Sequence, residues 1–212
     1  GMALELAKQK GCEVTGISLS KNQINYCKKK AKELGLDNQV SFELVDYREI
    51  KGVYDKIYSV GMFEHVGRKF YNQFFKSINK LLKNDGSFLL HTIGVVDKPS
   101  PPNKFINRYI FPGGICPSLS QITKSIEKTG LIVSDTETLI RHYDKTLLSW
   151  LERFNAKKDL VKDMFDEKFV KMWSFYLASC AAAFRYRDLV VFQLQIVKNF
   201  DSAHPTRDYI YS

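Results

Sequence analysis

The sequence predicts an α/β protein with a mostly parallel sheet and helices on both faces of that sheet. Segments rich in β-branched residues alternate along the chain with segments whose apolar residues recur at helical spacing. Serine and glycine residues stand where several of these helices would begin and end. The composition, 44% hydrophobic and 13% aromatic over 212 residues, is sufficient for one sizeable hydrophobic core.

The first part of the chain is predicted as helix, strand, helix and two further strands. Gly11 is suited to end the first helix. Ser20 is suited to begin the second, because Gln23 three residues later completes a capping-box pattern, and Gly35 follows its end. The predicted ranges are helix 3–10, strand 13–19, helix 20–34, strand 40–45 and strand 54–60.

The rest of the chain continues the alternation after a polar segment at 61–67. The Asn84-Asp85-Gly86 sequence is typical of a turn, with Gly86 at positive φ. Residues 94–117, rich in Pro, Gly and basic residues, are predicted as a long loop, and such loops are often functional. The predicted ranges are helix 69–82, strand 87–93, helix 119–128, strand 131–139, helices 142–155 and 167–184, and strand 189–197.

Polar residues gather where four of the predicted strands end, at 18–23, 46–48, 61–67 and 91–94. Ligands of parallel α/β sheets bind at the carboxyl ends of strands. Glu64 and His91 end two strands that we expect to be neighbours, and a carboxylate beside an imidazole suits acid–base chemistry or a small polar ligand. The alternatives from pattern alone are a helix-capping Glu64 and a core His91.

Charge and cysteine content narrow the function classes. The net charge of +9 and pI of about 9.3 favour an anionic partner, or a solvated surface that serves solubility alone. The four cysteines form no C-x-x-C pair, so a zinc site or disulfide framework is not expected and a reducing cytosol fits. The uncharged run 172–184 is too short to span a bilayer. No Walker loop, nucleophile elbow or HExxH motif is present.

Five separate segments carry a resemblance to one family: 59–67 (SVGMFEHVG), 88–94 (FLLHTIG), 107–114 (NRYIFPGG), 142–154 (HYDKTLLSWLERF) and 180–188 (CAAAFRYRD). They resemble the cyclopropane-fatty-acyl-phospholipid synthases and, more distantly, the mycolic acid cyclopropane synthases. The resemblance implies a class I methyltransferase (Rossmann-like) fold at 1–198, followed by a tail at 199–212. It also implies transfer of a methyl group from S-adenosylmethionine to the cis double bond of an unsaturated phospholipid acyl chain, forming a cyclopropane.

The resemblance further implies which residues form the site. The acid–base residues, which would hold a bound bicarbonate as the base, are Glu64, His91, Tyr143 and the backbone of Ile93. The residues that match the adenosine-binding turn and the loop beside the adenine are Ser18, Leu19, Gln23, Tyr47 and Arg48. No metal is implied.

The family's first strand and its glycine-rich cofactor turn would lie before Met2, as would a bicarbonate-contacting cysteine. The resemblance therefore implies a truncated domain with an unpaired strand position, weak cofactor binding, and a homodimer or an upstream chain as compensation. We expect a cytoplasmic protein, peripheral on the inner membrane face, whose basic charge attracts anionic phospholipid rather than nucleic acid. The alternatives are a catalytically silent remnant that binds lipid or a partner, and a methyltransferase for another small molecule.

Overall fold

The computed structural model describes residues 1–99, 101 and 103–211 and divides into two compact units, Gly1–Gly52 and Val53–Ser212. The first unit contains helix α1 (Met2–Lys10), strand β1 (Val14–Ser18), helix α2 (Lys21–Glu33) and strand β2 (Val40–Leu44). Strands β1 and β2 pair in parallel. Gly11 ends α1 in the left-handed conformation, at φ 63°, as its position in the sequence predicts.

The core of the first unit is small and lies between its two helices and its two strands. Leu4 and Ala7 of α1 lie on one helical face, and Ile24 and Ala31 of α2 lie on another. Val40 and Phe42 alternate with exposed residues along β2, so one side of that strand is buried. The buried members of this core are Ala3, Leu4, Ala7, Ile24, Ala31, Val40 and Phe42.

The second unit is built on a four-stranded sheet in the order β3-β4-β6-β5. Strand β3 runs parallel to β4, whereas β6 runs antiparallel to both β4 and β5. Three of the four strands therefore run in one direction, which agrees with the predicted mostly parallel α/β class. The elements of this unit are β3 (Tyr54–Val60), α3 (Tyr71–Leu81), β4 (Leu82–Val95), α4 (Lys104–Tyr109), α5 (Leu119–Glu127), β5 (Ile132–Leu139), α6 (His142–Asn155), α7 (Lys158–Met164), α8 (Glu167–Tyr186) and β6 (Leu189–Val197).

Helices cover both faces of this sheet. On one face Phe88 and Leu90 of β4 are fully buried, and the Phe88 ring lies 6.1 Å from that of Phe74 in α3. On the opposite face Ile93 and Val191 pack against the hydrophobic cluster of α6 and α8. The alternation of side chains along β4 and β6 thus separates a dry face under α3 from the face that carries the candidate site.

The segment 84–86 is not a turn, contrary to prediction. It lies within the long strand β4, and Gly86 is not among the glycines at positive φ. Gly86 serves close packing instead, since a Cβ there would lie 2.8 Å from the Asp55 carbonyl oxygen. The pairing register shifts between Tyr54 and Lys56, which accommodates the extra residues of β4.

The predicted loop 94–117 contains a short helix, α4, and is therefore not wholly irregular. The Asn103 side chain caps α4 by accepting from the backbone N–H groups of Phe105 and Ile106. Ser100 and Pro102 of this predicted loop lie outside the described residues. Helix α7 is a further element that the sequence pattern did not predict, because it spans only seven residues.

Residues 199–211 pack against the strands of the second unit. Asn199 and Ser202 both donate to the carbonyl oxygen of Asn84, and Arg207 forms an ion pair with Asp135 of β5 at 2.8 Å. Ser212 lies outside the described residues, and the boundary at 198 remains a prediction. Within the part of the chain that the structure describes, no helix is both long and apolar enough to cross a bilayer.

Candidate active site

Glu64 and Ile93 are joined because β4 extends beyond the end of β3. Strand β3 ends at Val60, which pairs with His91. The next backbone groups of β4 that point to that side belong to Ile93, two residues further on. The chain turns away at Gly61 (φ 66°) into a short 3₁₀ turn, Phe63–His65. This turn brings Glu64 Oε1 to within 2.6 Å of the Ile93 N–H, which donates to it.

The Glu64 carboxylate is buried and only half satisfied. Glu64 is 8% exposed, and its Oε2 has no hydrogen-bond partner among the described residues. The Tyr71 hydroxyl is also buried and also has no hydrogen-bond partner among the described residues. The Tyr71 ring stacks on that of Phe63, with 4.3 Å between the ring centres. Burial raises the pKa of Tyr71 to about 12, and the charge of Glu64 contributes to that rise. An unsatisfied buried carboxylate oxygen is costly, so it indicates a position for a hydrogen-bond donor from a ligand.

Cys116 belongs to the same buried environment. The Ile115 N–H donates to the Glu64 carbonyl oxygen at 2.8 Å, which holds the neighbouring cysteine beside the Phe63–His65 turn. Burial raises the pKa of the Cys116 thiol to about 12, and the charge of the Glu64 carboxylate contributes to that rise. The thiol is therefore protonated at neutral pH and is a neutral neighbour of the carboxylate.

Tyr143 enters the site from the first turn of α6. Its ring lies 5.3 Å from that of Phe184 in α8, and it packs against the cluster that includes Ile93. Burial raises the pKa of Tyr143, and the charge of Glu64 adds to the rise. The hydroxyl is therefore a hydrogen-bond donor at neutral pH within electrostatic range of Glu64.

Two features fix the first turn of α6. Asp144 is 4% exposed, and its Oδ2 accepts from Arg185 Nε of α8 at 2.8 Å. Arg141, the N-terminal cap of α6, has φ 63°, and it is the one non-glycine residue at positive φ among those the structure describes. Such a backbone conformation is strained for a side chain like that of arginine and persists only where its surroundings enforce it.

His91 lies on the same face of β4 as Ile93, but its ring is bonded to β6, whereas Ile93 is bonded to Glu64 on the β3 side of β4. Its Nδ1 lies 3.1 Å from the Oε1 of Gln193 on β6, and Gln193 Nε2 donates to Glu137 of β5 at 3.1 Å. Because the Gln193 oxygen can only accept, Nδ1 carries the proton and Nε2 of neutral His91 is an acceptor. No hydrogen bond joins His91 to Glu64 among the described residues.

The residues matched to the cofactor lie in the first unit. Ser18 ends β1, donates to Gln23 Oε1 at 2.7 Å and accepts from the Ser20 N–H at 3.1 Å. Ser20 caps α2 as predicted, but the Gln23 side chain turns to Ser18, so only half of the predicted capping box forms. Leu19 is 73% exposed, so this turn presents an apolar side chain next to a polar pair.

The second cofactor-matched segment follows β2. Arg48 donates from Nη2 to Asp46 Oδ2 at 2.8 Å and lies 5.9 Å from the centre of the Tyr47 ring. The hydrogen bonds from Arg48 hold the pKa of Asp46 below its usual range. This loop presents a cation and an aromatic ring at the end of the second parallel strand.

The structure thus brings Glu64, Ile93 and Tyr143 to one region of the second unit and directs His91 toward β6. Three site neighbours, Tyr71, Cys116 and Gln193, were not predicted from the sequence. Gln193 is one of two glutamines in the otherwise apolar strand segment 189–197, and this polar residue in an apolar run is the one feature of the sequence that could have indicated it. Tyr71 lies within the predicted helix 69–82 and Cys116 within the predicted loop 94–117, and neither has a distinguishing spacing.

The family model described as mycolic acid cyclopropane synthetase matches residues 1–194 of this chain. The cyclopropane-fatty-acyl-phospholipid synthase of Escherichia coli (strain K12) is 39% identical over 194 residues, which are 92% of this chain and 50% of that protein. The tuberculostearic acid methyltransferase UfaA1 of Mycobacterium tuberculosis is 32% identical over 198 residues, which are 91% of this chain and 46% of that protein. The chain therefore spans about half the length of these curated relatives.

Solved structures agree with the fold. The mycolic acid cyclopropane synthase CmaA1, in complex with SAH and CTAB, superposes with a TM-score of 0.84 at 29% identity. The match covers 91% of this chain and 72% of that one. These similarities confirm the predicted family and the class I methyltransferase fold.

Proposed function

The chain belongs to the mycolic acid cyclopropane synthetase family, and on that premise we propose that it takes part in S-adenosylmethionine-dependent transfer to the cis double bond of an unsaturated phospholipid acyl chain, forming a cyclopropane. The observation that carries the proposal is the buried Glu64 carboxylate, which is bonded through Oε1 to Ile93, lies within electrostatic range of Tyr143 and has no partner at Oε2 among the described residues. An ordinary methyl transfer to an amine or a hydroxyl does not call for a buried, half-satisfied carboxylate of this kind.

The reaction makes three demands that these residues meet. An alkene is a weak nucleophile, so it must be held in a dry, shaped site. The methylated chain carries a positive charge, which the faces of nearby aromatic rings stabilise. Ring closure then removes one proton, so an acceptor must be held close to the chain. Tyr143, which is only partly buried, contributes aromatic surface, and Glu64 orients the acceptor.

The residues proposed to hold S-adenosylmethionine are the two turns of the first unit. Leu19 offers an exposed apolar surface, and the Ser18–Gln23 pair leaves the Gln23 amide nitrogen as a donor for a nucleoside hydroxyl. Tyr47 and Arg48 offer an aromatic face and a cation at the end of β2. When bound, this cofactor supplies an electrophilic methyl group. The SAH in the CmaA1 complex supports this choice of cofactor.

The donor set around Glu64 also fits bicarbonate. Glu64 Oε2 can accept from the bicarbonate hydroxyl, and the Tyr143 hydroxyl can donate to an anionic oxygen. The Ile93 N–H is already bonded to Glu64, so we propose that Ile93 acts by orienting Glu64 rather than by contacting the anion itself. When bound, bicarbonate supplies a base. His91 Nε2, left as an acceptor by the Gln193 bond, is suited to relay the released proton.

We further propose that the substrate is presented at an anionic membrane surface on the cytoplasmic side. The net charge of +9 supports this, since each Lys or Arg near such a surface contributes about 1 kcal/mol of attraction.

The test is transfer of labelled methyl carbon from S-adenosylmethionine to vesicles of dioleoyl phospholipid, with the product separated as a ring or a methyl branch by mass spectrometry. We expect label in the lipid with the unaltered chain. We expect at least a ~100-fold slower rate with Glu64→Gln, which keeps the shape and the Ile93 contact but removes the charge.

The matched control is Glu127→Gln, an exposed carboxylate at the end of α5 in the same unit. It should leave the rate unchanged. Absence of label in lipid with the unaltered chain would contradict the proposed reaction. Equal rates for Glu64→Gln and Glu127→Gln would contradict the role given to Glu64.

A further inference from the structure

Helices α7, α8 and α4 form an exposed apolar surface on the second unit. Met164 is 73% exposed, Leu160 62% and Phe165 58%. Between α4 and α8 lies a groove of about 560 Å³, walled mainly by aromatic and methionine side chains. We call this surface the docking face, and its apolar members are Phe105, Tyr109, Leu160, Met164, Phe165, Phe169, Met172 and Phe175.

Apolar exposure on this scale is unusual for an isolated surface helix. Leu160 and Met164 lie four residues apart on α7, so they project from the same helical face, and Phe165 follows directly. A contiguous exposed apolar patch typically marks an interaction site with a protein or a membrane. The docking face therefore requires a partner with an apolar interior.

Aromatic rings connect the docking face to the Glu64 turn. From Phe165 the ring contacts pass to Phe169 at 4.2 Å and then to Trp173 at 5.6 Å. They continue through Tyr176 and Phe111 to His65, the neighbour of Glu64, with a last step of 5.9 Å. We call these six side chains, from Phe165 to His65, the aromatic row. The row makes the docking face continuous with the site proposed for the acyl chain.

The charges around the groove favour an anionic partner. Lys168 and Lys171 line it, and Lys104 and Arg108 are exposed on the adjoining helix α4. The one acid in the lining, Asp166, accepts from the Phe169 N–H at 2.6 Å as the cap of α8. Glu167, beside the groove, is paired with Lys162 at 3.1 Å and with Lys171 at 3.8 Å, so Lys168, Lys104 and Arg108 carry most of the positive charge of the rim. An apolar groove with a cationic rim matches the acyl chains and phosphate groups of an anionic phospholipid layer.

We propose that the docking face seats this chain on an anionic phospholipid bilayer, with α7 lying at the headgroup boundary and an acyl chain entering the groove between α4 and α8. This inference rests on the proposed function, which supplies the reason for an acyl chain to reach Glu64. It adds which surface meets the membrane. A protein partner would need apolar and acidic groups on one surface, whereas a bilayer of phosphatidylglycerol offers both uniformly.

The experiment is flotation of the full chain with vesicles of phosphatidylglycerol and phosphatidylcholine, compared with vesicles of phosphatidylcholine alone. The variant Phe165→Glu places a charge in the apolar part of the face, and we expect about tenfold weaker binding to the anionic vesicles. The matched control is Phe200→Glu, because Phe200 is 82% exposed on the same unit and is not one of the residues that line the groove. It should bind as the unaltered chain does.

Tryptophan fluorescence gives a second, independent readout. The chain has two tryptophans, so Trp150→Phe leaves Trp173 of the aromatic row as the one reporter. Phospholipid brominated along its acyl chains should quench Trp173 in this variant, and Phe165→Glu should abolish the quenching. Lys168→Glu with Lys171→Glu should weaken binding to anionic vesicles and leave binding to phosphatidylcholine unchanged.

Equal binding by Phe165→Glu and Phe200→Glu would overturn the inference. So would sedimentation showing a dimer that Phe165→Glu dissociates, since the face would then be covered by a second copy. The proposed function is tested separately. It predicts that Phe165→Glu still methylates lipid dispersed in detergent, whereas Glu64→Gln binds vesicles normally and methylates lipid in either form at least ~100-fold more slowly.

Discussion

The residues matched to the cofactor and those matched to the acid–base site are held in different ways. In the first unit the bonds are local: Ser18 reaches Gln23 five residues away, and Arg48 reaches Asp46 two residues away. In the second unit they join distant segments: Glu64 and Ile93 are 29 residues apart, and Asp144 and Arg185 are 41 apart. The first set depends on turns, whereas the second exists only when the whole unit is folded.

This difference predicts which substitutions couple function to stability. A side chain in an exposed local turn can be removed with little effect on folding, because water replaces its partner. A buried partner in a long-range contact cannot, because the group left behind loses its hydrogen bond in a dry place. Changes at the acid–base site should therefore alter both chemistry and stability, while changes at the cofactor turns should alter ligand binding alone.

The largest expected effect is that of Glu64→Ala. It leaves the part-buried Ile93 N–H without its acceptor, so we expect the free energy of unfolding to fall by about 1–3 kcal/mol. Glu64→Gln keeps an acceptor in place and should cost less. Urea denaturation followed by far-UV circular dichroism measures both variants. Equal losses for alanine and glutamine would mean that the Ile93 bond contributes nothing to stability.

Asp144→Ala should have the next largest effect. It removes the bond between α6 and α8 and leaves Arg185, whose side chain is 41% exposed and can reach water. We expect a loss of about 1–2 kcal/mol in the free energy of unfolding. Arg185→Lys keeps the charge but not the Nε–H geometry, so its free energy of unfolding should lie between those of the unaltered protein and Asp144→Ala. An unchanged urea midpoint for Asp144→Ala would contradict the idea that distance along the chain and burial decide the cost.

Asp46→Asn should have the smallest effect and should depend on pH. The bond from Arg48 lowers the pKa of Asp46 in the folded state, so its stabilisation is full above the unfolded pKa of about 3.9 and is lost as pH falls through the folded value. At pH 7 we expect a cost below about 1 kcal/mol, because Arg48 is half exposed. Urea midpoints of both proteins should converge between pH 5 and pH 2. A difference that persists at pH 2 would exclude this ion pair as its source.

The same contrast explains how far prediction from the sequence could go. Ser20 was predicted as the cap of α2 because a cap is a property of neighbouring residues, and the structure confirms it. Strands β3 and β6 and helix α6 have the predicted bounds, since each is a strongly patterned segment. The prediction of a turn at 84–86 is wrong. Gly86 lies in a strand there and packs closely against the Asp55 carbonyl oxygen, about thirty residues away in the sequence, and no local pattern shows that contact.

Glu64 and His91 were predicted from their positions at strand ends as well as from the family resemblance, whereas Tyr143 was predicted from the resemblance alone. Neither Glu64 nor Tyr143 has a spacing that links it to the other, since the overrun of β4 past β3 and the packing of α6 on α8 create their proximity. The orientation of His91 toward Gln193 likewise depends on the pairing of β4 with β6. These contacts depend on which strands and helices become neighbours in the folded unit, and residues close together in the sequence do not determine that.

The left-handed backbone of Arg141 has a consequence for motion. The first turn of α6 begins at this residue without a side-chain cap. The backbone strain of Arg141 favours opening of the turn, whereas the Asp144–Arg185 bond keeps the turn in place. Such a segment opens at lower free energy than the rest of its helix. Amide protons of 142–144 should exchange with deuterium sooner than those of 147–152, and loss of the Arg185 guanidinium should hasten them further. Tyr143 would then leave and rejoin the site by a local opening, without unfolding of the sheet on which Glu64 is held.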